Sequence, residues 1–92
     1  MKKLFGERLR EERKKQSLSA QMIAKACGVS RSYITLIENG KRVPSKKILP
    51  IIASALKLKT VTVLNWYLED MRERLTKYSR IPLKKIIALK VL

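Results

Sequence analysis

Polar side chains able to bind a nucleic acid base follow Ser30 in this 92-residue chain. If residues 31–38 form a helix, Ile34 and Ile37 mark its inner side, and the polar residues lie opposite or on the flanks. Four residues opposite this inner side or on its flanks, three polar and one apolar, are candidates for base contacts: Arg31, Ser32, Thr35 and Leu36. An arginine can donate two hydrogen bonds to a guanine edge, a hydroxyl can donate or accept, and a leucine can cover a thymine methyl group. The pattern therefore suits a helix in a DNA major groove.

A second set of side chains suits contacts with phosphates. Such contacts need backbone N–H donors at helix starts, polar side chains and flexible cations. The candidates are Gln21, Tyr33, Asn39, Lys41, Arg42, Ser45, Lys46 and Lys47. Two alternatives stay open: Arg31 could contact a phosphate instead of a base, and Lys41 or Arg42 could reach the minor groove.

Charge is strongly positive and unevenly distributed along the chain. The formal net charge is +15, from 22 lysines and arginines against seven acids. Glu38 is the only acid between residues 13 and 68. Charge of one sign destabilises a fold by self-repulsion, and a polyanion neutralises it. The distribution favours a nucleic acid partner over a merely solvated surface.

Two short helices joined by a sharp turn are predicted to position these residues. Ser19 is a favourable N-cap for a helix over about 20–27, because its hydroxyl can accept from an unpaired backbone N–H. Gly28 can end that helix in the left-handed conformation, and Ser30 can cap a second helix over about 31–38. This spacing is typical of the helix-turn-helix motif, whose second helix lies in the major groove.

Three further helices are predicted around this pair. The first covers about residues 4–16, the fourth ends near Leu56, and the fifth starts after Thr60 or Thr62. Pro50 has no backbone N–H, so the fourth helix either starts near Leu49 or is kinked. The predicted fold is all-α, with five helices.

The chain resembles the Cro/C1-type, or XRE, family of helix-turn-helix regulators from about residue 4 to 68. The resemblance depends on GVSRSYI at 28–34, IENGKR at 37–42, Pro44-Ser45 and LPIIASAL at 49–56. It implies a lambda-repressor-like domain, here residues 1–71, that binds double-stranded DNA in a sequence-specific way. It further implies a homodimer on a palindromic operator, acting as a transcriptional repressor.

The resemblance also assigns a structural ion pair and shows two departures from the family pattern. Glu38 matches a glutamate that pairs with an arginine of the first helix, here Arg13, so we interpret it as structural. The glutamine that commonly opens the second helix is replaced by Ala20, with Gln21 beside it, so one phosphate contact is missing or shifted. Lys57 stands where the family favours glycine. A left-handed lysine costs about 1 kcal/mol, so a rebuilt turn is expected.

Residues 72–92 are predicted to be a C-terminal extension that forms a dimer contact. The apolar residues assigned to dimerisation are Leu68, Met71, Leu75, Leu83, Ile86 and Ile87. A helix is favoured for the end of the chain, but a strand stays open because apolar residues alternate from Ile87 to Val91. Three alternatives remain for this segment: it caps the monomer core, lies on a membrane surface, or binds another protein, as in an antitoxin or a bridging module.

Composition argues against several other classes of protein. No stretch approaches 18 consecutive apolar residues, so no membrane span is expected, and no signal peptide is visible. The chain has one cysteine, interpreted as a buried core residue, and no histidine, which argues against disulfides and zinc. It shows no nucleophile paired with a base and no glycine-rich phosphate loop. We therefore expect a cytoplasmic protein that is not an enzyme and needs no cofactor.

Overall fold

The computed structural model describes residues 4–79, which form five α-helices and no strand. They are α1 (Phe5–Lys15), α2 (Ala20–Cys27), α3 (Arg31–Glu38), α4 (Leu49–Ala55) and α5 (Thr60–Ser79), with one 3₁₀ turn at Lys46–Ile48. The prediction of an all-α, five-helix fold is confirmed. Helix α5 continues through residues 71 and 72, where the domain boundary was predicted. The rest of the predicted extension, residues 80–92, lies outside the described residues.

An aliphatic core joins all five helices. Its buried members are Phe5, Leu9, Ile23, Ala24, Cys27, Ile34, Ile37, Ile48, Leu49, Ile52, Ala53, Leu56 and Val63. Trp66 packs at the edge of this core, and its ring meets that of Phe5 edge to face, with ring centroids 6.2 Å apart. Because Ile34 and Ile37 are buried, the opposite side of α3 faces solvent.

Capping residues fix the turn between α2 and α3. The Ser19 hydroxyl accepts from the Met22 N–H at 3.1 Å, and the Ser30 hydroxyl accepts from the Tyr33 N–H at 3.1 Å. Gly28 between them has φ 67°, the left-handed conformation that glycine adopts at low cost. Both predicted caps and the predicted glycine turn are confirmed.

The segment around α4 shows where this helix begins and how the turn after it is formed. Helix α4 begins at Leu49, so Pro50 lies in the first turn, where its missing N–H has no intrahelical partner to lose. The expected rebuilding of the next turn is wrong, because Lys57 itself takes the left-handed conformation, with φ 56°. The turn closes as it would with glycine: the Leu58 N–H donates to the Ala53 carbonyl at 2.9 Å. The left-handed conformation of Lys57 therefore lowers the stability of the fold by about 1 kcal/mol.

Helix α1 lies against the C-terminal end of α3 at Gly6. A Cβ atom at Gly6 would be 2.0 Å from the Ile37 carbonyl oxygen and 2.8 Å from the Glu38 Cα. The obstacle is backbone and cannot rotate away, so only glycine permits this approach. The C-terminal end of α3 is therefore packed directly on the first turn of α1.

Candidate nucleic-acid interface

The four residues predicted to contact bases lie together on the exposed side of α3. Arg31, Ser32, Thr35 and Leu36 line one open concavity. All four side chains are exposed, including Leu36 at 38%. An exposed leucine beside two hydroxyls and a guanidinium offers an apolar contact and hydrogen bonds on one surface. This combination matches the edge of a base pair in the major groove.

Thr35 is the member of this surface whose hydrogen bonding is most restricted. Its hydroxyl donates to the Arg31 carbonyl oxygen, one helical turn earlier, at 3.1 Å. With its hydrogen used within the helix, the hydroxyl can still accept a hydrogen bond, and its methyl group can make apolar contacts. In this rotamer Thr35 can accept from a base amino group, but it cannot donate to a base oxygen.

A loop rich in polar and basic residues follows α3, and hydrogen bonds fix its path. Gly40 has φ 74°, and the Lys41 N–H donates to the Leu36 carbonyl at 2.9 Å. The Asn39 side-chain oxygen accepts from the Arg10 guanidinium. The Asn39 amide nitrogen is the only donor of this side chain, so it is the group that can donate to an anion. Asn39, Lys41 and Arg42 are all exposed.

Tyr33 connects α3 to the start of the 3₁₀ turn. Its hydroxyl accepts from the Ser45 backbone N–H at 3.0 Å, and the Arg42 guanidinium carbon lies 5.0 Å from the centre of its ring. This stacking is a cation–π contact. We predicted Tyr33 as a phosphate contact and missed both interactions. No local pattern could have shown them, because the partners lie 9 and 12 residues further along the chain.

The remaining candidates for phosphate contacts lie at two helix starts. Gln21 is exposed in the first turn of α2. The Ser45 hydroxyl accepts from the Lys47 N–H at 3.3 Å and so caps the 3₁₀ turn, where Lys46 and Lys47 are exposed. Both sites combine backbone donors with polar or cationic side chains.

Glu38 faces inward and is bound by two arginines of α1. It is 4% exposed, and its oxygens lie 2.8 Å from Arg13 Nε and 3.4 Å from Arg10 Nε. The Arg13 guanidinium also donates to the Leu18 carbonyl at 2.9 Å. The hydrogen bond to Glu38 raises the pKa of Arg13, so its guanidinium stays charged. The structure thus places Arg13 beside Glu38, the pair that the family resemblance implies, and it adds Arg10, which we had not assigned.

A second buried carboxylate, Asp70 on α5, was missed entirely. It is 3% exposed and accepts from the Phe5 backbone N–H at 3.1 Å and from Arg74 Nε at 2.5 Å. Arg74 Nη2 donates in turn to the Gly40 carbonyl at 3.2 Å. The only signal in the sequence is an acid four residues before an arginine, which is common on solvated helices.

Predicted dimer residues on α5 are exposed or half-buried. Leu68 is 60% exposed and Leu75 is 69% exposed, while Met71 is half-buried. Val61 and Leu64, at 57% and 39%, add to the exposed apolar residues of this helix. The other residues assigned to dimerisation, Leu83, Ile86 and Ile87, lie outside the described part of the chain.

Residues 4–79 contain no candidate for two other kinds of site, a membrane span and a metal centre. No helix there is both long enough and apolar enough to cross a membrane. No cluster of three or more histidine, cysteine, aspartate or glutamate side chains there could hold a metal ion.

The chain matches a known family model and is similar to two curated bacterial and phage proteins. A family model described as Helix-turn-helix matches residues 9–63. The ImmF control region 10 kDa protein of Bacillus phage phi105 is 41% identical over 56 residues, covering 61% of this chain and 62% of that protein. The transcriptional repressor RghR of Bacillus subtilis (strain 168) is 36% identical over 77 residues, covering 80% of this chain and 57% of RghR. The chain therefore spans less than two thirds of the length of these curated relatives.

A solved structure gives a likeness of the same kind. The P22 c2 repressor, crystallised in complex with a synthetic operator, superposes with a TM-score of 0.64 at 29% identity. The match covers 71% of this chain and 98% of the P22 chain.

Proposed function

The chain belongs to the Cro/C1-type helix-turn-helix family, and on that premise we propose that it binds double-stranded DNA in a sequence-specific way and represses transcription as a homodimer. The relatives named above include a transcriptional repressor and a repressor crystallised with a synthetic operator. The proposal assigns base contacts to α3 and phosphate contacts to the segments around it. We propose that the protein acts in the cytoplasm.

The observation that carries the proposal is the separation of α3 into two chemically different sides. Ile34 and Ile37 are 0% and 1% exposed and hold the helix on the core, so Arg31, Ser32, Thr35 and Leu36 face outward together. Glu38, the only acid between residues 13 and 68, is buried against two arginines. No acid in that part of the chain is therefore exposed to repel a phosphate backbone.

Phosphate contacts would come from three places around α3. They are the start of α2 with Gln21, the loop with Asn39, Lys41 and Arg42, and the 3₁₀ turn with Ser45, Lys46 and Lys47. Tyr33 supports the last two through its ring and its hydroxyl. If each subunit neutralises about five phosphates, log K should fall with log salt at a slope of about −4.5, and a dimer should double that slope.

Repression is favoured over activation by the same charge distribution. An activator of this type needs a surface that RNA polymerase can recognise, often acidic and close to the DNA-binding helices. Here the surface of α2 and α3 presents no exposed acid. Occupation of a promoter requires only tight binding, so we assign repression.

A homodimer is proposed because one α3 spans too few base pairs for a long specific site. Symmetric dimers solve this by placing two recognition helices about 10 bp apart on a palindrome. The exposed apolar residues of α5, led by Leu68 and Leu75, suit a contact between two copies. Met71 would lie beside them, and Leu83, Ile86 and Ile87 stay predictions.

Selection of bound duplexes from a random library, at two salt concentrations, tests the proposal. We expect an enriched palindrome with half-sites about 10 bp apart and a strong loss of affinity at high salt. Equal binding to enriched and scrambled duplexes would contradict sequence-specific recognition.

Two matched substitutions then separate base contacts from phosphate contacts. Arg31→Ala should relax preference at one position of each half-site, at a cost of about 1–3 kcal/mol for the preferred base pair. Lys46→Ala should weaken binding to all sequences about equally and reduce the salt slope by about 1. Identical behaviour of the two variants would show that the assignment of Arg31 is wrong.

A second candidate function is a protein-binding module, such as an antitoxin or a bridging protein. Its support is the same set of exposed apolar residues on α5, which could contact a different protein instead of a second copy. Sedimentation of the purified chain distinguishes the two, because the repressor proposal requires a dimer, whereas the alternative predicts a chain that is monomeric or aggregation-prone without its partner.

A further inference from the structure

Arg74 is in contact with two parts of the molecule at once. Its Nε donates to Asp70 on the same helix at 2.5 Å, and its Nη2 donates to the Gly40 carbonyl at 3.2 Å. Asp70 also accepts from the Phe5 backbone N–H at 3.1 Å. A continuous set of hydrogen bonds therefore runs from the first turn of α1, through α5, to the loop that follows α3.

The peptide unit between Gly40 and Lys41 is hydrogen-bonded at both ends. Its carbonyl accepts from Arg74, and its N–H donates to the Leu36 carbonyl at 2.9 Å. A peptide plane held on both sides cannot rotate freely, so the direction in which the chain continues to Arg42 is set. Gly40 is in the left-handed conformation, with φ 74°. A glycine without such contacts would move among many conformations.

We propose that Arg74, held in place by Asp70, is a positioning residue for phosphate binding by the loop of residues 39–42. It does not contact DNA itself. It fixes the Gly40–Lys41 peptide, so that Asn39, Lys41 and Arg42 are ordered before DNA arrives and less conformational entropy is lost on binding. This inference rests on the proposed function, because it concerns the same DNA interface.

The chemistry of arginine explains why this residue type is needed. A guanidinium presents several N–H donors in a fixed plane, so one edge can bind a carboxylate while another donor reaches a carbonyl. An ammonium group at the same position is a single point charge. Arg74→Lys should therefore keep the pair with Asp70 and lose the contact with Gly40.

The experiment compares Arg74→Lys and Arg74→Ala with Arg72→Ala, on the enriched duplex and on a scrambled one, over a range of salt concentrations. Arg72 is exposed on the same helix, so its removal controls for the loss of one positive charge. For both Arg74 variants we expect about tenfold weaker binding and a salt slope shallower by about 1. The preference for the enriched duplex should not change, because phosphate contacts do not read sequence. Arg72→Ala should stay within about twofold of the unsubstituted chain.

Exchange of the Lys41 amide proton with solvent gives a reading that needs no DNA. The proposal requires faster exchange in Arg74→Lys than in Arg72→Ala. If Arg74→Ala does not fold, the comparison of Arg74→Lys with Arg72→Ala is sufficient to test the proposal. A folded Arg74→Lys protein that matches Arg72→Ala in affinity, salt slope and exchange would overturn the inference. An unsubstituted chain that binds all duplexes equally would refute sequence-specific recognition instead, and the affinity, slope and exchange of Arg74→Lys would still decide the role of Arg74.

Discussion

Glu38 and Asp70 are both almost completely buried, and both attach α1 to the rest of the molecule, but they do so differently. Glu38 is bound by charged side chains of α1, with Arg13 Nε at 2.8 Å. Asp70 is bound by the α1 backbone, through the Phe5 N–H, and by an arginine of its own helix. No side chain caps α1 at Leu4, so the negative group that favours a helix N-terminus comes from Asp70, 65 positions after Phe5.

The two arrangements also differ in how well their cationic partners are hydrated. The Arg13 side chain is 13% exposed, whereas the Arg74 side chain is 30% exposed. Loss of Glu38 would leave a nearly buried guanidinium without its counter-charge, but loss of Asp70 would leave one that water can reach. We therefore expect the burial of the partner, more than that of the carboxylate, to decide how costly each site is to break.

The largest effect is expected from Glu38→Ala. Because Arg13, only 13% exposed, would lose its counter-charge and keep only its hydrogen bond to the Leu18 carbonyl, the free energy of unfolding should fall by about 3–5 kcal/mol, measured by urea denaturation. Glu73→Ala is the matched control, since Glu73 is exposed on α5 and its loss should change stability by less than about 0.5 kcal/mol. Equal stability of the two variants would mean that the buried pair contributes nothing.

Gly6→Ala tests the close packing of α1 on the C-terminal end of α3. The added methyl group would meet the Ile37 carbonyl at 2.0 Å, so the backbones must separate. We expect a loss of about 3 kcal/mol, at the upper end of the cost of overpacking. The melting temperature of Gly6→Ala is compared with that of a control, Glu7→Ala, at an exposed neighbouring position on α1. An unchanged melting temperature would show that α1 can move away freely.

Asp70→Ala is expected to cost less than either. It leaves the Phe5 N–H without its partner, while Arg74 can turn to solvent, so we expect a loss of about 1–3 kcal/mol. Urea denaturation at neutral pH, with Glu73→Ala again as control, measures it. A loss as large as that of Glu38→Ala would refute the argument from hydration of the partner.

Arg10→Ala should have the smallest effect. Arg10 is 39% exposed and its Nε lies 3.4 Å from Glu38, so water already screens the pair. We expect a loss below about 1 kcal/mol, against a much larger loss for Arg13→Ala in the same denaturation series. If the two arginine variants lost equal stability, exposure would not separate the two contacts to Glu38.

Local signals made α2, α3 and the turn between them predictable. Ser19, Gly28 and Ser30 each act on residues within a few positions, so caps and helix bounds follow from short-range rules. The pairing of Glu38 with Arg13 followed instead from the family resemblance. These elements place the candidate base-contact residues on one surface.

Long-range contacts could not be predicted from the sequence. Asp70 accepts from the Phe5 N–H across 65 positions. The sequence around Asp70 on α5 is that of an ordinary exposed acid on a helix. The pairing of the Tyr33 hydroxyl with the Ser45 N–H depends on the path of the intervening loop. Lys57 shows the limit of a residue preference, since the helices on either side impose a left-handed turn that lysine does not favour.

The single cysteine offers a way to follow motions of α2 relative to the core. Cys27 ends α2 at 9% exposure, and burial raises the pKa of its thiol. Since only the thiolate attacks alkylating reagents, modification has to wait until α2 separates from the core. The rate of labelling of the natural chain would then report how often α2 opens, and a bound duplex that holds this element closed should slow that rate.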